Sequence, residues 1–151
     1  MNEELALVLR RCYDFVVRYE DVLALDTHDA TAAYAGKVIV DGARADAGQA
    51  GQGIWPIVRE NDGTIALSLI NLLGLESPEW NGSLPIDPPV RENLMLRFYT
   101  DRSPERIWWA TPDDDNLAAR VLDFDTEEDE GGTYVTFRVP WLSWWDLIVL
   151  E

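Results

Sequence analysis

From Ile54 onward, apolar and polar residues alternate in short runs, the period of a half-buried β-strand. Ile54–Arg59 and Thr64–Leu72 flank Asn61-Asp62-Gly63, a hairpin turn signal. Asn93–Thr100 sets Leu94, Leu96 and Phe98 against Met95, Arg97 and Tyr99. Arg106–Ala110, Arg120–Asp125, Tyr134–Val139 and Asp146–Leu150 repeat the pattern, and Lys37–Asp41 is a short run ahead of them. Thr126–Gly132 reads as an acidic turn, and residues 42–53 as a Gly- and Ala-rich loop. Residues 74–92 carry Pro78, Pro85, Pro88 and Pro89 and read as a long irregular connection of the kind that often has a function. About eight strands with no helix between them require antiparallel connections. The predicted fold is therefore mainly β: an antiparallel Greek-key sandwich preceded by one N-terminal helix.

The first twenty-three residues follow a different period. Leu5, Val8, Leu9, Cys12, Phe15, Val16, Tyr19 and Leu23 recur at helical spacing, after Asn2 as a helix cap and Glu3-Glu4 in the first turn. Arg10, Asp14 and Arg18 mark a solvent face. Ala6, Tyr13 and Val17 add a second apolar strip, so the apolar arc is wider than one sheet covers. Leu5, Val8, Leu9, Cys12, Tyr13, Val16 and Val17 are the expected interface residues. Residues 24–36 are small and polar and read as a linker.

Charge narrows the partners. The 28 acids outnumber eleven Arg and one Lys, giving a formal charge of −16, which repels nucleic acid and anionic lipid. No apolar run reaches the ~20 residues of a membrane-spanning helix, and no signal peptide precedes the first helix. These features leave the location open. The lone Cys12 excludes an intramolecular disulfide and reads as a packed thiol.

Catalytic and cofactor motifs are absent from the sequence. His28 is the single histidine, which removes His-based triads and His-rich metal sites. Asp113, Asp114 and Asp115 offer oxygen ligands but lack the Gly and distal Glu of a calcium loop, and Glu127–Glu130 reads as a solvated turn. Glu76 and Glu79 flank the Pro-rich loop as solvated acids. No catalytic residue, cofactor or metal is therefore expected. The seven tryptophans remain. Trp55 and Trp108 fit core strand positions, while Trp109 alternates with Trp108 and is expected to face solvent or a domain interface. One of Trp144 and Trp145 is expected to be exposed, and Trp141 to cap the core. Trp80, beside Asn81, is the leading candidate for stacking on a sugar, with Trp109 and Trp145 behind it.

Five segments, in order, resemble the C-terminal end of glycoside hydrolase family 66. They are Cys12–Leu23, Ile54–Leu75, Val90–Asp101, Ile107–Asp113 and Tyr134–Glu151, and the motifs within them are SLINL, RENL, WATPD and the closing VP-x-L-x-x-W-D. The family contains dextranases and cycloisomaltooligosaccharide glucanotransferases. The resemblance implies a catalytic (β/α)₈ barrel followed by a β-sandwich. Residues 1–34 would then be a barrel remnant with its linker and 35–151 the sandwich. The family's Asp nucleophile and Glu acid/base would lie upstream of every residue present. The implied role is a non-catalytic accessory module. Its expected partners are a barrel, a second copy through the N-terminal helix, or an α-1,6-glucan. A self-associating product of a truncated gene is the remaining alternative.

Overall fold

The computed structural model describes residues 3–45, 53–75, 87–130 and 132–151. The N-terminal run forms α1 (Glu3–Arg18) and one further turn, α2 (Glu20–Leu23), so the expected single helix breaks at Tyr19. Asn2 lies outside the described residues. No described helix is long and apolar enough to cross a membrane.

Among the described residues eleven strands follow: β1 (His28–Asp29), β2 (Val38–Val40), β3 (Arg44–Ala45), β4 (Gly53–Glu60), β5 (Ile65–Asn71), β6 (Arg91–Thr100), β7 (Ile107–Ala110), β8 (Arg120–Leu122), β9 (Phe124–Asp129), β10 (Gly132–Leu142) and β11 (Trp145–Leu150). They form two facing sheets, as the alternation requires. The larger runs β1-β4-β5-β11-β7-β8, with β3 added parallel to β4, and the smaller runs β2-β6-β10-β9. Every other pairing is antiparallel.

The interior lies between the sheets. Leu67, Leu69 and Ile148 of the larger sheet meet Leu96, Phe98, Val135 and Phe137 of the smaller one. The larger sheet is also buried on its outer face, where Ala66, Ala110, Leu147 and Val149 lie under Phe15 of α1. The small side chains there let the helix approach closely. Burying Phe15 stabilises this layer by roughly 1.5–3 kcal/mol.

Three segments differ from the sequence expectation. Within the expected linker 24–36, β1 pairs with β4, the Ala30 amide donates to the Val58 carbonyl, and Tyr34 stacks on Phe98 at 5.2 Å. A buried aromatic and a ladder place this stretch inside the sandwich. The expected acidic turn from Thr126 is largely strand: β9 runs to Asp129 and pairs with β10 from Phe124↔Phe137 to Asp129↔Gly132. As the free edge of its sheet it needs few apolar residues, and its acids oppose pairing with another edge. The RENL segment already belongs to β6. Its ladder with β10 passes over Asn93 (φ 50°) where the partner would be Pro140, which has no N–H to give.

Candidate functional site

The outer face of the larger sheet carries an aromatic layer that α1 completes. The Phe15 ring meets Trp145 edge-on at 5.0 Å and Tyr19 at 4.9 Å, and Tyr19 lies 5.4 Å from Trp108. The Tyr19 hydroxyl donates to the Leu117 carbonyl at 2.6 Å, and the Trp108 indole N–H donates to the Glu151 side chain at 3.0 Å. That N–H and the Arg106 guanidinium hold the Glu151 carboxyl below its ordinary range.

The turn from β10 into β11, where the chain crosses between sheets, is fixed by residues from distant segments. Asp113 Oδ2 accepts the Trp144 and Trp145 amides at 2.7 and 2.9 Å. Thr111 Oγ1 donates to the Trp145 carbonyl at 2.7 Å and accepts the Asp113 amide at 3.1 Å. Asn71 Nδ2 donates to Ser143 O at 2.8 Å and Pro89 O at 3.0 Å, while its backbone amide donates to Trp144 O at 2.9 Å. The SLINL, WATPD and closing motifs thus supply one corner. RENL joins them through Arg91↔Leu142, Glu92↔Trp141 and Leu94↔Val139. The corner sets the backbone that carries Trp145 onto Phe15, linking the crossover to the docking of α1.

Asp146, the next residue, is fully buried between the sheets. Burial raises its carboxyl well above the ordinary range, and the nearby Asp113 charge adds to the rise; Trp109 and Thr111 oppose it. The Trp109 indole N–H and both Asp146 oxygens nevertheless have no aligned hydrogen-bond partner among the described residues. The unfolded chain ionises this group near its ordinary value of 3.8, so its contribution to stability is complete below that pH. It is lost as pH rises toward and through the raised folded value. Asp146→Asn, which cannot ionise, is therefore expected to gain stability relative to the parent as pH increases. Thermal melts of both proteins between about pH 4 and 8 would show a widening gap; parallel curves would refute this account.

Several sequence candidates fall elsewhere than expected. Trp109 is 1% exposed, in the inter-sheet core, edge-on to Trp141 at 5.7 Å and with the Arg120 guanidinium 5.3 Å from its ring. It is Trp108 that faces outward, under α1. Both faces of this sheet are covered, so alternation alone did not reveal which indole met which layer. Trp145 is half-buried against Phe15, and Trp109, closed in the core, presents no open ring face to a sugar. Trp141 packs against the core. Trp80, Asn81, Glu76 and Glu79 lie outside the described residues. Asp113, Asp114 and Asp115 diverge: Asp113 holds the corner, Asp114 binds Arg120 at 2.6 Å, and Asp115 binds Arg11 at 3.2 Å. Among the described residues no group of three potential ligands is placed to hold a metal. His28 stands on β1, 3.6 Å from Glu60.

The interface candidates on α1 are largely exposed to solvent. Leu5, Val8, Leu9, Tyr13, Val16 and Val17 are exposed, Tyr13 by 70% and Val17 by 65%, and Cys12 is half-buried. Leu7 is exposed with them, although the periodicity had not marked it. Leu5, Leu9, Tyr13 and Val17, four residues apart, form one stripe turned away from Phe15.

The architecture defines a two-sheet β-sandwich with a helix docked on its larger sheet. Residues 1–149 match the family model described as Glycosyl hydrolase family 66, and the chain belongs to that family. Two cycloisomaltooligosaccharide glucanotransferases of Niallia circulans are 28% and 27% identical over 155 residues, covering 100% of this chain and 16% of each of those proteins. The crystal structure of a Paenibacillus sp. cycloisomaltooligosaccharide glucanotransferase complexed with cycloisomaltoheptaose matches 99% of this chain and 21% of that one, with a TM-score of 0.88 and 25% identity. The chain therefore spans about a fifth or less of the length of these relatives.

Proposed function

We propose that this chain is a non-catalytic β-sandwich module of a family 66 α-glucan-active enzyme, and that α1 is the element it shares with a catalytic (β/α)₈ barrel. The observation that carries this reading is the two-sided helix. One side is buried through Phe15, and the other presents Leu5, Leu9, Tyr13, Val16 and Val17 to solvent, with Leu7 and Val8 exposed elsewhere on the helix. An exposed stripe of this kind marks an interaction surface. Covering each large side chain contributes roughly 1.5–3 kcal/mol, ample to hold two domains in register. The family relationship and the relatives' greater length support a barrel as the occupant. A second copy of this chain is the competing occupant.

The test is a chimera in which this chain replaces the corresponding segment of a Niallia circulans relative. Tyr13→Glu/Val17→Glu is expected to lower the chimera's melting temperature by about 5 °C or more, from burial of two charges in an apolar contact. In the isolated chain the same change is expected to be nearly neutral, because both sites are exposed. Equal effects in the two backgrounds would remove the barrel contact. Light scattering of the isolated chain at twice its monomer mass, reverting to monomer in the double variant, would assign the stripe to self-association instead.

A further inference from the structure

We infer that Asp146 is a proton-operated latch for α1: the helix seats firmly on the larger sheet while this carboxyl is neutral, and its seat loosens when the carboxyl ionises. Asp146 lies on β11 between Trp145 and Leu147. Its side chain is buried between the sheets, while its two neighbours turn to the outer face and join Phe15 there. Three consecutive residues of backbone therefore carry a buried acid on one face and the helix seat on the other.

Hydrogen-bond capacity selects the neutral form. The polar side chains beside the carboxyl are Trp109 and Thr111. The Thr111 hydroxyl hydrogen is committed to the Trp145 carbonyl at 2.7 Å, and one of its lone pairs takes the Asp113 amide at 3.1 Å. Toward Asp146 it has only its second lone pair left. A carboxylic acid can donate to that lone pair, whereas a carboxylate is repelled by it. The Trp109 indole N–H, buried and without another partner, is a donor for the remaining oxygen. The neutral acid thus suits both neighbours, and the anion suits one.

Nothing among the described residues offsets the anion. On β5, Leu69 stands opposite Asp146 in the ladder. The inward residues of the smaller sheet, Leu94, Leu96, Phe98, Val135, Phe137 and Val139, carry no charge. Arg91, where β6 begins, gives its guanidinium to the Asp41 and Gly42 carbonyls at 3.2 and 3.5 Å. Arg120 of β8 lies against the Trp109 ring at 5.3 Å, but it is bound to Asp114 at 2.6 Å. Beyond β7, Asp113 adds a negative charge, fixed in place by the Trp144 and Trp145 amides.

An ionised Asp146 is therefore driven toward water. Reaching water moves the β11 backbone, and Trp145 and Leu147 move with it. The bonds from Asp113 and Thr111 to Trp145 are disturbed together, and Phe15 loses part of its seat. Rising pH is the opening direction, because it removes the proton of an acid that burial holds above its ordinary range. Only the consequence for a barrel seated on α1 rests on the family reading; the latch belongs to this chain.

The experiment is an NMR titration of the 151-residue chain from about pH 4 to 9, following carboxyl carbons and methyl groups. The Asp146 carboxyl carbon is expected to titrate well above the ordinary 3.8. The Leu147 and Val149 methyls, shifted by the Phe15 ring, should lose that shift with the same midpoint. The Leu96 and Val135 methyls of the smaller sheet should hold their positions through it. Asp146→Asn, which keeps a donor and an acceptor in the same places, should abolish the transition. A carboxyl that titrates near 3.8 or not at all, seat methyls unmoved at its midpoint, or methyls of both sheets moving together would overturn the proposal. So would a transition that persists in Asp146→Asn. The parent titration decides the matter even if the variant folds poorly. Failure here would leave the barrel contact to the chimera melts, which measure the opposite side of α1.

Discussion

Phe15→Ala is expected to lower unfolding free energy by about 3–5 kcal/mol, the usual cost of deleting a buried phenylalanine. Phe15 is fully buried, and it is the contact through which α1 reaches Ala66, Ala110, Leu147, Val149 and the edge of Trp145. Small neighbours such as Ala66 and Ala110 cannot move in to refill its space, which places the cost toward the upper end. Leu9→Ala is the control: its side chain already faces solvent in this chain, and a change within about 0.5 kcal/mol is expected. Urea unfolding of the three proteins checks both. Equal losses in the two variants would mean that α1 is not held through its Phe15 face.

Asp113→Ala is expected to be comparably damaging, at about 3–5 kcal/mol, because one carboxylate oxygen accepts two backbone amides in the crossover turn. Both amides lose their acceptor together, and the Thr111 bond to Trp145 loses its neighbouring anchor. Against the ~5–15 kcal/mol of a typical domain, this threatens folding outright. Asp113→Asn retains an accepting oxygen without the charge and should recover about half the loss. The measurement is equilibrium denaturation followed by near-ultraviolet circular dichroism, to which the packed tryptophans contribute together. An alanine variant as stable as the parent would show that Asn71 and Thr111 suffice to hold the turn.

The sequence made the two-sheet architecture legible because alternating runs such as Tyr134–Val139 carry one apolar face each. It also identified the α1 stripe, since an apolar arc spanning both Phe15 and Val17 exceeds what a single sheet can cover. Which side of the arc met the sheet was hidden. The informative signal was the run of small residues, Ala66, Ser68 and Ala110, on one face of the larger sheet, where a helix fits. Trp108 and Trp109 were exchanged between layers for a related reason: both faces of β7 are buried, so apolarity does not distinguish them. β9 escaped notice because a free edge is specified by its charges and its partner strand. The polar corner was present as motifs, but their meeting at Ser143–Trp145 depends on contacts far apart in sequence, such as Asn71 with Ser143, 72 residues on.

The position of β11 sets the order in which this molecule is made. It is the last of the described strands, yet it sits in the middle of the larger sheet, hydrogen-bonded to β5 on one side and β7 on the other. During translation, β5 and β7 emerge with a gap between them that neither can close. The corner residues Asn71, Thr111 and Asp113 wait for a turn not yet synthesised, and the seat for Phe15 lacks Leu147 and Val149. The larger sheet is therefore closed only by pairings of high sequence separation, the slowest kind to form. A nascent chain arrested before β11 presents unpaired strand edges to whatever chaperone or protease is nearest.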